Sequence, residues 1–230
     1  MENKDSKYIA IIPARKGSKS LKRKNLIKLN KIRLIEYTFL SAQESFFLKK
    51  IYLTTDDNQI KTLAKKYKKI LIISRQKKLC GDNALMKDVV LDVIKKKILH
   101  KDLNSTNIVL LQPTSPLRSS KDIDKAISLF KKNKKKNNLI SVSEPINHPC
   151  EMININNKKI TLSIKRKKQM NRQQYKKFYF INGSIFIFNA LNFLKTKKFI
   201  TKTSLIFKME KKHSIDLNNN FDIQLIKNFL

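Results

Sequence analysis

Residues with the chemistry of a phosphate site stand together near the start of the chain. Arg15 and Lys24 carry positive charge that neutralises phosphate oxygens, and the forked guanidinium of Arg15 can bind two oxygens at once. Gly17 lets the backbone approach an anion closely, and the hydroxyl of Ser18 can donate to a phosphate oxygen. These residues follow an apolar run at 8–12. A buried strand that leads into a small, cation-rich loop is typical of phosphate sites in open α/β sheets.

The loop matches neither of the two common glycine-rich phosphate motifs. A Walker loop needs G-x-x-x-x-G-K-[ST] and a dinucleotide fingerprint needs G-x-G-x-x-G, whereas residues 11–25 contain a single glycine. A basic surface loop is the alternative, because lysine is abundant throughout the chain. The order of a strand, Pro-Ala-Arg, Gly-Ser-Lys and Lys-Asn favours the phosphate site over that alternative.

Three further residues have side chains suited to a metal ion, a sugar or an anion. Asp216 is a hard oxygen ligand of the kind that Mg²⁺ prefers, and the alternative is a turn residue or an acid at a helix N-terminus. Gln112 follows an apolar run at 108–111, and its amide can donate to and accept from sugar hydroxyls unless it only caps the strand. Arg118, in the same loop, could hold a carboxylate or a phosphate with two hydrogen bonds.

Short apolar runs alternate with segments of helical periodicity from the first loop to about residue 144. The runs that predict strands are 51–55, 70–73, 108–111 and 139–142. Stripes of apolar residues at helical spacing predict the helices between them. The alternation predicts an α/β fold with a mostly parallel sheet and helices on both faces. In such folds ligands bind outside the carboxyl ends of the strands, where the candidate residues lie.

The pattern changes after residue 145. Residues 152–164 predict a hairpin that turns at 156–157. Later segments with strand or helix character are 185–188, 204–209 and 222–230. The chain therefore reads as one domain over 1–230, with residues 145–182 as an insertion or appendage.

The charge balance is strongly basic. The chain of 230 residues contains 51 Lys plus Arg and 17 Asp plus Glu, which gives a formal net charge of +34. Such a charge attracts polyanions, so a basic nucleic-acid-binding protein is an alternative function. The lysines, however, are spread along the whole chain together with many Asn and Ile residues. This distribution indicates compositional drift and argues against nucleic acid as a partner.

Cysteine usage and the N-terminus indicate where the protein works. Cys80 and Cys150 are far apart and show neither metal-binding nor redox spacing. The polar N-terminus lacks the pattern of a signal peptide, and no apolar run approaches the length of a membrane span. We therefore expect a cytoplasmic protein with free thiols and no membrane association.

Seven motifs spread over nearly the whole chain occur together in an order typical of one enzyme family. The most specific is LLQPTSPLR at 110–118. The others are IIPARKGSKSLKRKN (11–25), TTD (54–56), NHP (147–149), RQQ (172–174), NGSIFI (182–187) and SIDLNNNFD (214–222). In these motifs the chain resembles the acylneuraminate cytidylyltransferases, which make CMP-sialic acid and related bacterial CMP-nonulosonates.

The resemblance implies a Rossmann-like core, a homodimer made partly through residues 145–182, and dependence on Mg²⁺ or Mn²⁺. The implied reaction transfers CMP from CTP to the anomeric hydroxyl of a nonulosonic acid and releases pyrophosphate. Phosphoryl transfer of this kind depends mainly on positioning and on neutralising charge at the phosphates. Loop cations and a metal-binding carboxylate are the groups that such a reaction needs.

The resemblance also implies a role for each candidate residue. The catalytic residues are Arg15, Lys24 and Asp216. The nucleotide-binding residues are Arg15, Gly17, Ser18, Lys24, Asn25, Arg75 and Asp82. The sugar-binding residues are Gln112, Arg118, Arg172 and Gln173, and the metal ligands are Asp216 and Asn218. For Arg172 and Gln173 a solvated polar stretch is the alternative, because their surroundings are rich in Lys and Gln.

Two departures from the family pattern bear on the site. Asn218 stands where the family usually has the second acid of an Asp-x-Asp pair, which leaves Asp216 with less anionic help at a metal. Phe180 and Ile181 replace positions that are often polar or basic, which alters the polarity expected of the sugar pocket. A CMP-Kdo synthetase and an inactive homologue are alternatives, but LLQPTSPLR and the NGS motif favour the sialic acid branch.

Overall fold

The computed structural model describes residues 7–18, 20–99, 103–133, 135–157, 159–164 and 171–230. The strands are β1 (Lys7–Ala14), β2 (Lys28–Leu29), β3 (Ile32–Arg33), β4 (Lys50–Thr55), β5 (Ile70–Ser74), β6 (Thr106–Leu111), β7 (Asn138–Ser143), β8 (Ile153–Asn156), β9 (Lys159–Leu162), β10 (Phe180–Asn189) and β11 (Leu205–Lys208). The α-helices are α1 (Leu34–Glu44), α2 (Asn58–Ala64), α3 (Met86–Lys97), α4 (Ser120–Lys132), α5 (Ala190–Thr196) and α6 (Asn220–Lys227).

Seven strands form the central sheet, in the order β11-β7-β10-β6-β1-β4-β5. Neighbouring strands run parallel except at β10, which is antiparallel to both β6 and β7. The predicted α/β fold with a mostly parallel sheet is therefore confirmed. The direction of β10 is not readable from the sequence, since a buried apolar strand has the same composition in either direction.

Apolar side chains fill both faces of this sheet. One cluster packs α1, α2 and α4 against it through residues such as Phe39, Ile60 and Ile127. A second cluster packs α3 and α5 against the opposite face through Val93 and Phe193. Removing this apolar surface from water is the main favourable term in folding. Helices on both faces, as the alternation predicts, follow from these two clusters.

Three adjacent parallel strands bring the candidate loops to one edge of the sheet. β1 lies between β4 and β6, and Ala14 at its end pairs with Thr55 at the end of β4. The loop after β1 carries Arg15, the loop after β4 carries Asp56, and the loop after β6 begins with Gln112. The carboxyl edge of the sheet is thus the place where the phosphate-loop and sugar-site candidates can meet.

Several elements differ in extent from the sequence pattern. The first helix ends at Glu44 and the last at Lys227, whereas the apolar periodicity continues to residues 48 and 230. The helix α5 is not predicted at all; the side chain of Asn189 caps it by accepting a hydrogen bond from the backbone of Asn192 at 3.0 Å. Among the described residues, no helix combines the length and the apolar character needed to cross a membrane.

The predicted hairpin is present within residues 145–182. Strands β8 and β9 pair antiparallel, and Asn157 adopts a φ of 44°, a left-handed conformation that asparagine tolerates in tight turns. Ile153 lies opposite Leu162 and Ile155 opposite Ile160, so these four side chains share one face of the hairpin. Ile155 is 68% exposed and Ile160 is 67% exposed. The hairpin therefore presents an apolar face that its own chain leaves uncovered in the described residues.

Candidate functional site

A cavity of about 320 Å³ lies at the carboxyl edge of the sheet. Its walls come from the loops after β1, β5 and β6 and from the start of α3. It is lined by eight residues that the sequence nominates, namely Arg15, Gly17, Ser18, Lys24, Asn25, Arg75, Asp82 and Gln112. The structure thus brings together all seven of the predicted nucleotide-binding residues and one of the predicted sugar-binding residues.

The loop after β1, residues 15–25, is the candidate phosphate loop, and the side chain of Asn25 holds its two ends together. The side-chain nitrogen of Asn25 donates to the carbonyl oxygen of Arg15 at 3.1 Å, which joins the two ends of the loop. The backbone N–H of Lys16 donates to the Asp56 carboxylate at 2.8 Å and fixes the loop to the end of β4. These contacts hold Arg15 and Lys24 at the same cavity, which is the arrangement that two cations need to act on one anion.

An ion pair anchors the second half of the loop. Arg23 donates from Nη2 to Oδ2 of Asp57 at 2.9 Å, and Asp57 is buried. Arg23 also has φ 54° and ψ 40°, a left-handed backbone conformation that costs energy for a residue with a β-carbon. The ion pair holds this conformation directly before Lys24. Sequence reasoning missed Asp57, although an acid before the helical pattern at 58 is an N-cap signal.

Asp57 is also the N-cap of α2. Its carboxylate accepts hydrogen bonds from the backbone of Gln59 at 2.8 Å and of Ile60 at 3.4 Å. Burial by itself would raise the pKa of Asp57, but the hydrogen bonds from Arg23, Gln59 and Ile60 outweigh it and lower the pKa below its ordinary value. The Asp57 carboxyl is therefore an anion at neutral pH, which is the state that accepts from the α2 backbone and pairs with Arg23.

Lys24 reaches from the phosphate loop to the segment that carries Asp216. Its Nζ donates to the carbonyl oxygen of Leu217 at 2.9 Å and lies 3.5 Å from Oδ1 of Asn218. Burial lowers the pKa of the Lys24 ammonium, and the charges of Asp216 and Asp222 oppose that shift. A partly desolvated ammonium acts more strongly on a nearby phosphate than an exposed one, because less water screens its charge.

Arg15 and Asp82 face each other at the cavity. The Nη1 of Arg15 donates to Oδ1 of Asp82 at 2.7 Å, and both side chains are partly exposed. An anion that enters the cavity competes with Asp82 for the same guanidinium. A carboxylate repels phosphate, so the chemistry of Asp82 suits hydroxyl groups of a nucleoside better than the phosphates.

Arg75 lies deeper, at the end of β5. It is 9% exposed, and its Nη2 donates to the carbonyl oxygen of Thr54 at 3.0 Å. Its Nε is buried and makes no hydrogen bond within the described part of the chain. Burial lowers the pKa of the guanidinium. A donor of this kind at a cavity wall is suited to a carbonyl or phosphate oxygen of a ligand.

Asp216 stands in a small hydrogen-bonded network beside Lys24. Its carboxylate receives hydrogen bonds from the side chains of Thr114 and Asn218, the latter at 2.9 Å from Nδ2 to Oδ2. Burial raises the pKa of Asp216, while these bonds and the charge of Lys24 act in the opposite direction. Asp222 accepts from the backbone N–H groups of Asn218 and Asn219 and so fixes the loop.

The oxygen atoms at this loop fit a divalent ion that also binds phosphate. Asp216 offers a carboxylate, and the amide oxygen of Asn218 lies beside it and faces the Lys24 ammonium at 3.5 Å. Within the described residues, no three His, Cys, Asp or Glu side chains form a metal-binding group. A Mg²⁺ ion commonly takes one or two carboxylates and completes its shell with water and substrate phosphates, so one carboxylate beside a phosphate site is sufficient.

Gln112 presents its side chain to the cavity and packs against β10. Gly183, in the NGS motif, has φ 70°, and a β-carbon there would lie 3.6 Å from the amide atoms of Gln112. The pairing of β10 with β7 shifts register between Ile181 and Phe186, which marks a bulge at this point. Phe180 and Ile181 are exposed at the start of the strand.

The structure does not bring Arg118 to the cavity. The side chain is 2% exposed, and it donates to the carbonyl oxygens of Gln112 at 3.0 Å and Ser184 at 2.8 Å and to Oγ1 of Thr38 at 2.8 Å. Burial lowers the pKa of Arg118 to about 9. The guanidinium therefore ties together β6, β10 and α1, and its geometry gives no support to the predicted sugar contact.

Gln173 also lies away from the cavity lining. It belongs to a short 3-10 turn at Arg172–Gln174 within residues 145–182 and is exposed. The side chain of Arg172 lies outside the described part of the structure. Beside this turn, the His148 ring of the NHP motif packs 4.6 Å from that of Tyr175, which ties the turn to the start of the appendage.

Comparisons with known proteins identify the family of the chain. A family model described as cytidylyltransferase matches residues 9–228, so the chain belongs to the cytidylyltransferase family. An N-acylneuraminate cytidylyltransferase from Escherichia coli O18:K1:H7 is 34% identical over 222 residues, which are 96% of this chain and 51% of that protein. A CMP-N,N'-diacetyllegionaminic acid synthase from Campylobacter jejuni is 30% identical over 222 residues, covering 96% and 94%.

The chain thus spans about half the length of the E. coli relative. A solved structure of a CMP:2-keto-3-deoxy-manno-octonic acid synthetase in complex with CTP is similar in fold. Its TM-score is 0.70 at 13% identity, and the match covers 97% of this chain and 98% of that one. At this identity the match shows the fold alone.

Proposed function

We propose that this protein is a cytidylyltransferase that transfers CMP from CTP to the anomeric hydroxyl of a nonulosonic acid. The observation that carries the proposal is the cavity at the carboxyl edge, where seven predicted nucleotide-binding residues meet. Relatives named as N-acylneuraminate cytidylyltransferase and CMP-N,N'-diacetyllegionaminic acid synthase support the choice of acceptor. In the reaction the anomeric oxygen bonds to the α-phosphorus, the bond to the β-phosphate oxygen breaks, and pyrophosphate leaves.

The chain's own residues act by positioning and by electrostatics. Arg15 and Lys24 face the cavity from the phosphate loop and neutralise the charge that grows on the phosphates as pyrophosphate departs. Gly17 and Ser18 place small groups at the same wall, so the backbone can approach the triphosphate. Arg75 and Asp82 line the same cavity and bind the nucleoside part, and Gln112 meets the sugar hydroxyls.

A Mg²⁺ or Mn²⁺ ion belongs to this proposal. Asp216 and the amide oxygen of Asn218 would hold it, beside Lys24 and the phosphates. When bound, the ion supplies positive charge that stabilises the phosphates during transfer. Replacing Asp216 with Ala is expected to abolish activity at ordinary Mg²⁺ concentrations, while the fold is kept because the side chain is a loop residue.

We further propose a homodimer that forms through residues 145–182. The apolar face of the hairpin, made by Ile153, Ile155, Ile160 and Leu162, is exposed in a single chain. Covering it with a second copy removes this surface from water. A dimer would also bring Gln173 and the RQQ turn of one chain near the other chain's site, which accounts for sugar-site candidates that lie far from their own cavity lining.

The cytoplasm is the proposed compartment. CTP is made and used there, and neither Cys80 nor Cys150 forms a disulfide in the structure. No interaction with nucleic acid is part of the proposal, because the basic residues are spread along the whole sequence and form no local basic stripe in it.

The test is a pyrophosphate-release assay with CTP, with and without Mg²⁺, against neuraminic, legionaminic and pseudaminic acids and Kdo. We expect release with at least one nonulosonic acid and little with Kdo. Release with Kdo alone would establish the alternative, a CMP-Kdo synthetase. If CTP yields no pyrophosphate with any of these acceptors, the chain is an inactive homologue and the proposed function fails.

A further inference from the structure

A buried polar network is centred on Asn182, in the bulge of β10. Asn182 is 3% exposed, and its side-chain oxygen accepts from Oγ of Ser141 at 2.6 Å and from the backbone of Ser184 at 3.1 Å. Its side-chain nitrogen donates to Oγ of Ser214 at 3.1 Å. A buried amide is costly unless its hydrogen bonds are satisfied. The bonds to Ser141 and Ser214 join Asn182 to β7 and to the segment before Asp216, and the bond to Ser184 stays within β10.

One of these bonds reaches the segment that carries Asp216. Ser214 lies two residues before Asp216. Its hydroxyl accepts from Asn182 and donates to the carbonyl oxygen of Glu210 at 2.8 Å. On the other side of Asp216, the backbone of Leu217 donates to the carbonyl oxygen of Thr114 at 2.8 Å. The carboxylate of Asp216 is therefore held between two anchor points, one of which depends on Asn182.

Gly183, the residue after Asn182, lies beside Gln112, the candidate sugar-binding residue. Gly183 has φ 70°, and its backbone lies near the amide of Gln112. A β-carbon on Gly183 would be in ordinary van der Waals contact with that amide. The N–H of Ile185, just beyond, donates to Oγ of Ser141 at 2.8 Å and closes the network from β7. A single bulge thus touches both the Gln112 side chain and the Asp216 segment.

We propose that Asn182 is a positioning residue that sets the place of Asp216 relative to Gln112. It touches neither substrate nor metal, and it acts through Ser214 on one side and through Gly183 on the other. This inference rests on the proposed function, in which Asp216 holds the divalent ion and Gln112 meets the sugar. The bond from Asn182 to Ser214 is the part of the network that bears on the metal, and the bonds to Ser141 and Ser184 shape the bulge.

Three variants of the network separate positioning from stability. Ser214→Ala removes the hydroxyl that Asn182 binds, Ser214→Thr keeps a hydroxyl there, and Ser141→Ala removes a hydroxyl of the same network on β7. The measurements are the Mn²⁺ bound in the presence of CTP, counted by electron paramagnetic resonance of free Mn²⁺, and the melting temperature. Ser214→Ala loses the hydrogen bonds to both Asn182 and Glu210, and we expect it to weaken Mn²⁺ binding about threefold to tenfold.

Ser214→Thr is expected to restore Mn²⁺ binding to near the wild-type value. Ser141→Ala is expected to lower the melting temperature as much as Ser214→Ala does, with unchanged Mn²⁺ binding. If both alanine variants weaken Mn²⁺ binding equally, or neither does, Asn182 has only a structural role and the inference is overturned. A wild-type protein that releases no pyrophosphate overturns the proposed function instead, and this is measured separately.

Discussion

The nucleotide cavity and the appendage at residues 145–182 differ in how far one chain completes them. At the cavity, the loops after β1, β5 and β6 converge. Arg15, Lys24 and Arg75 each contact an acceptor from another segment. In the appendage, the hairpin pairs only with itself, and Ile155 and Ile160 remain two-thirds exposed. The walls of the first region are held by contacts within one chain, whereas the second is an apolar surface that the described residues of the chain leave exposed.

Substitutions in these two regions are expected to differ in how their effect on activity depends on protein concentration. A substitution at the cavity acts within one chain, so its effect on the rate is the same at every protein concentration. In the proposed homodimer, a substitution on the hairpin acts on association, so its effect is expected to grow as the protein is diluted. The following experiments use that contrast, beginning with the largest expected effect.

Replacing Lys24 with Ala should lower kcat/KM about a hundredfold or more. The variant loses a partly buried cation at the phosphates, and one such group typically contributes about 3 kcal/mol to the transition state. The rate is measured by pyrophosphate release, with circular dichroism as a check on folding. Lys22→Ala is the matched control, because Lys22 is an exposed lysine two positions earlier.

The defect of Lys24→Ala should also be independent of protein concentration. If the activity of Lys24→Ala recovers when the enzyme is concentrated, Lys24 acts on association and not at the cavity. A folded variant within a few-fold of wild-type activity would remove Lys24 from the phosphate site.

Replacing Asn218 with Asp should lower the Mg²⁺ concentration needed for the half-maximal rate about fivefold. The added charge lies beside Asp216, and attraction between charges at this range in water amounts to about 1 kcal/mol. A magnesium titration of the rate measures the effect. Asn219→Asp is the control, because it adds the same charge one residue away and keeps the cap of α6.

A larger effect from Asn219→Asp than from Asn218→Asp would place the ion elsewhere on the loop. An unchanged or higher Mg²⁺ requirement in Asn218→Asp, together with an active Asp216→Ala, would remove the metal from this segment.

The double substitution Ile155→Thr with Ile160→Thr should weaken the dimer at least tenfold. Threonine keeps the β-branched shape that favours the strands and removes apolar surface from the exposed face. Light scattering at micromolar concentration should show wild type at twice 27.0 kDa and the variant near 27.0 kDa. Phe46→Ser, at a residue 72% exposed and outside the appendage, should leave the dimer intact.

Wild-type protein that scatters as a 27.0 kDa particle would contradict the dimer directly. The apolar face of the hairpin would then not be a dimer interface, and the proposed difference between the cavity and the appendage would not hold.

The smallest effect is expected from Asp57→Asn, which should cost about 1 kcal/mol of unfolding free energy at pH 7. Asparagine still caps α2 but cannot pair with Arg23 as an anion. The pKa of Asp57 is lowered in the folded state, so its contribution is complete above the unfolded pKa and is lost as the pH falls through the folded pKa.

Urea unfolding at a series of pH values measures this effect. The difference between wild type and Asp57→Asn should begin to shrink as the pH falls below about 4, where the unfolded carboxyl takes up a proton. It should be lost only at lower pH, where the folded carboxyl is protonated as well. A difference that grows with acidity would show that the ion pair with Arg23 does not contribute in the way the structure indicates.

The phosphate loop was predictable because its chemistry is contiguous in sequence. Arg15, Gly17, Ser18 and Lys24 lie within ten residues after one strand, so residue types alone indicate an anion site. The alternation of strands and helices then predicts the edge at which they lie. The same local reasoning gives the hairpin, since Asn156–Asn157 is a turn signal between two β-branched runs.

Arg118 and Asp57 show where local reasoning stops. An arginine that binds backbone carbonyls has the same sequence neighbourhood as one that binds a ligand, and only the packing of β10 against β6 turns Arg118 inward. The contact between Asp57 and Arg23 joins residues 34 positions apart, which no local pattern reveals. The antiparallel direction of β10 has the same origin, because it depends on the path of residues 144–179.

The double use of Asp57 makes the phosphate loop and α2 one cooperative unit. Releasing Arg23 from the carboxylate frees the loop, and losing the loop removes the charge that keeps this helix cap in place. We therefore expect the amide hydrogens of Gln59 and Ile60 to exchange with solvent more readily when the loop opens, because the carboxylate that accepts from them also pairs with Arg23. Solvent exchange in α2, which lines no part of the cavity among the described residues, thus reports on events at the nucleotide site.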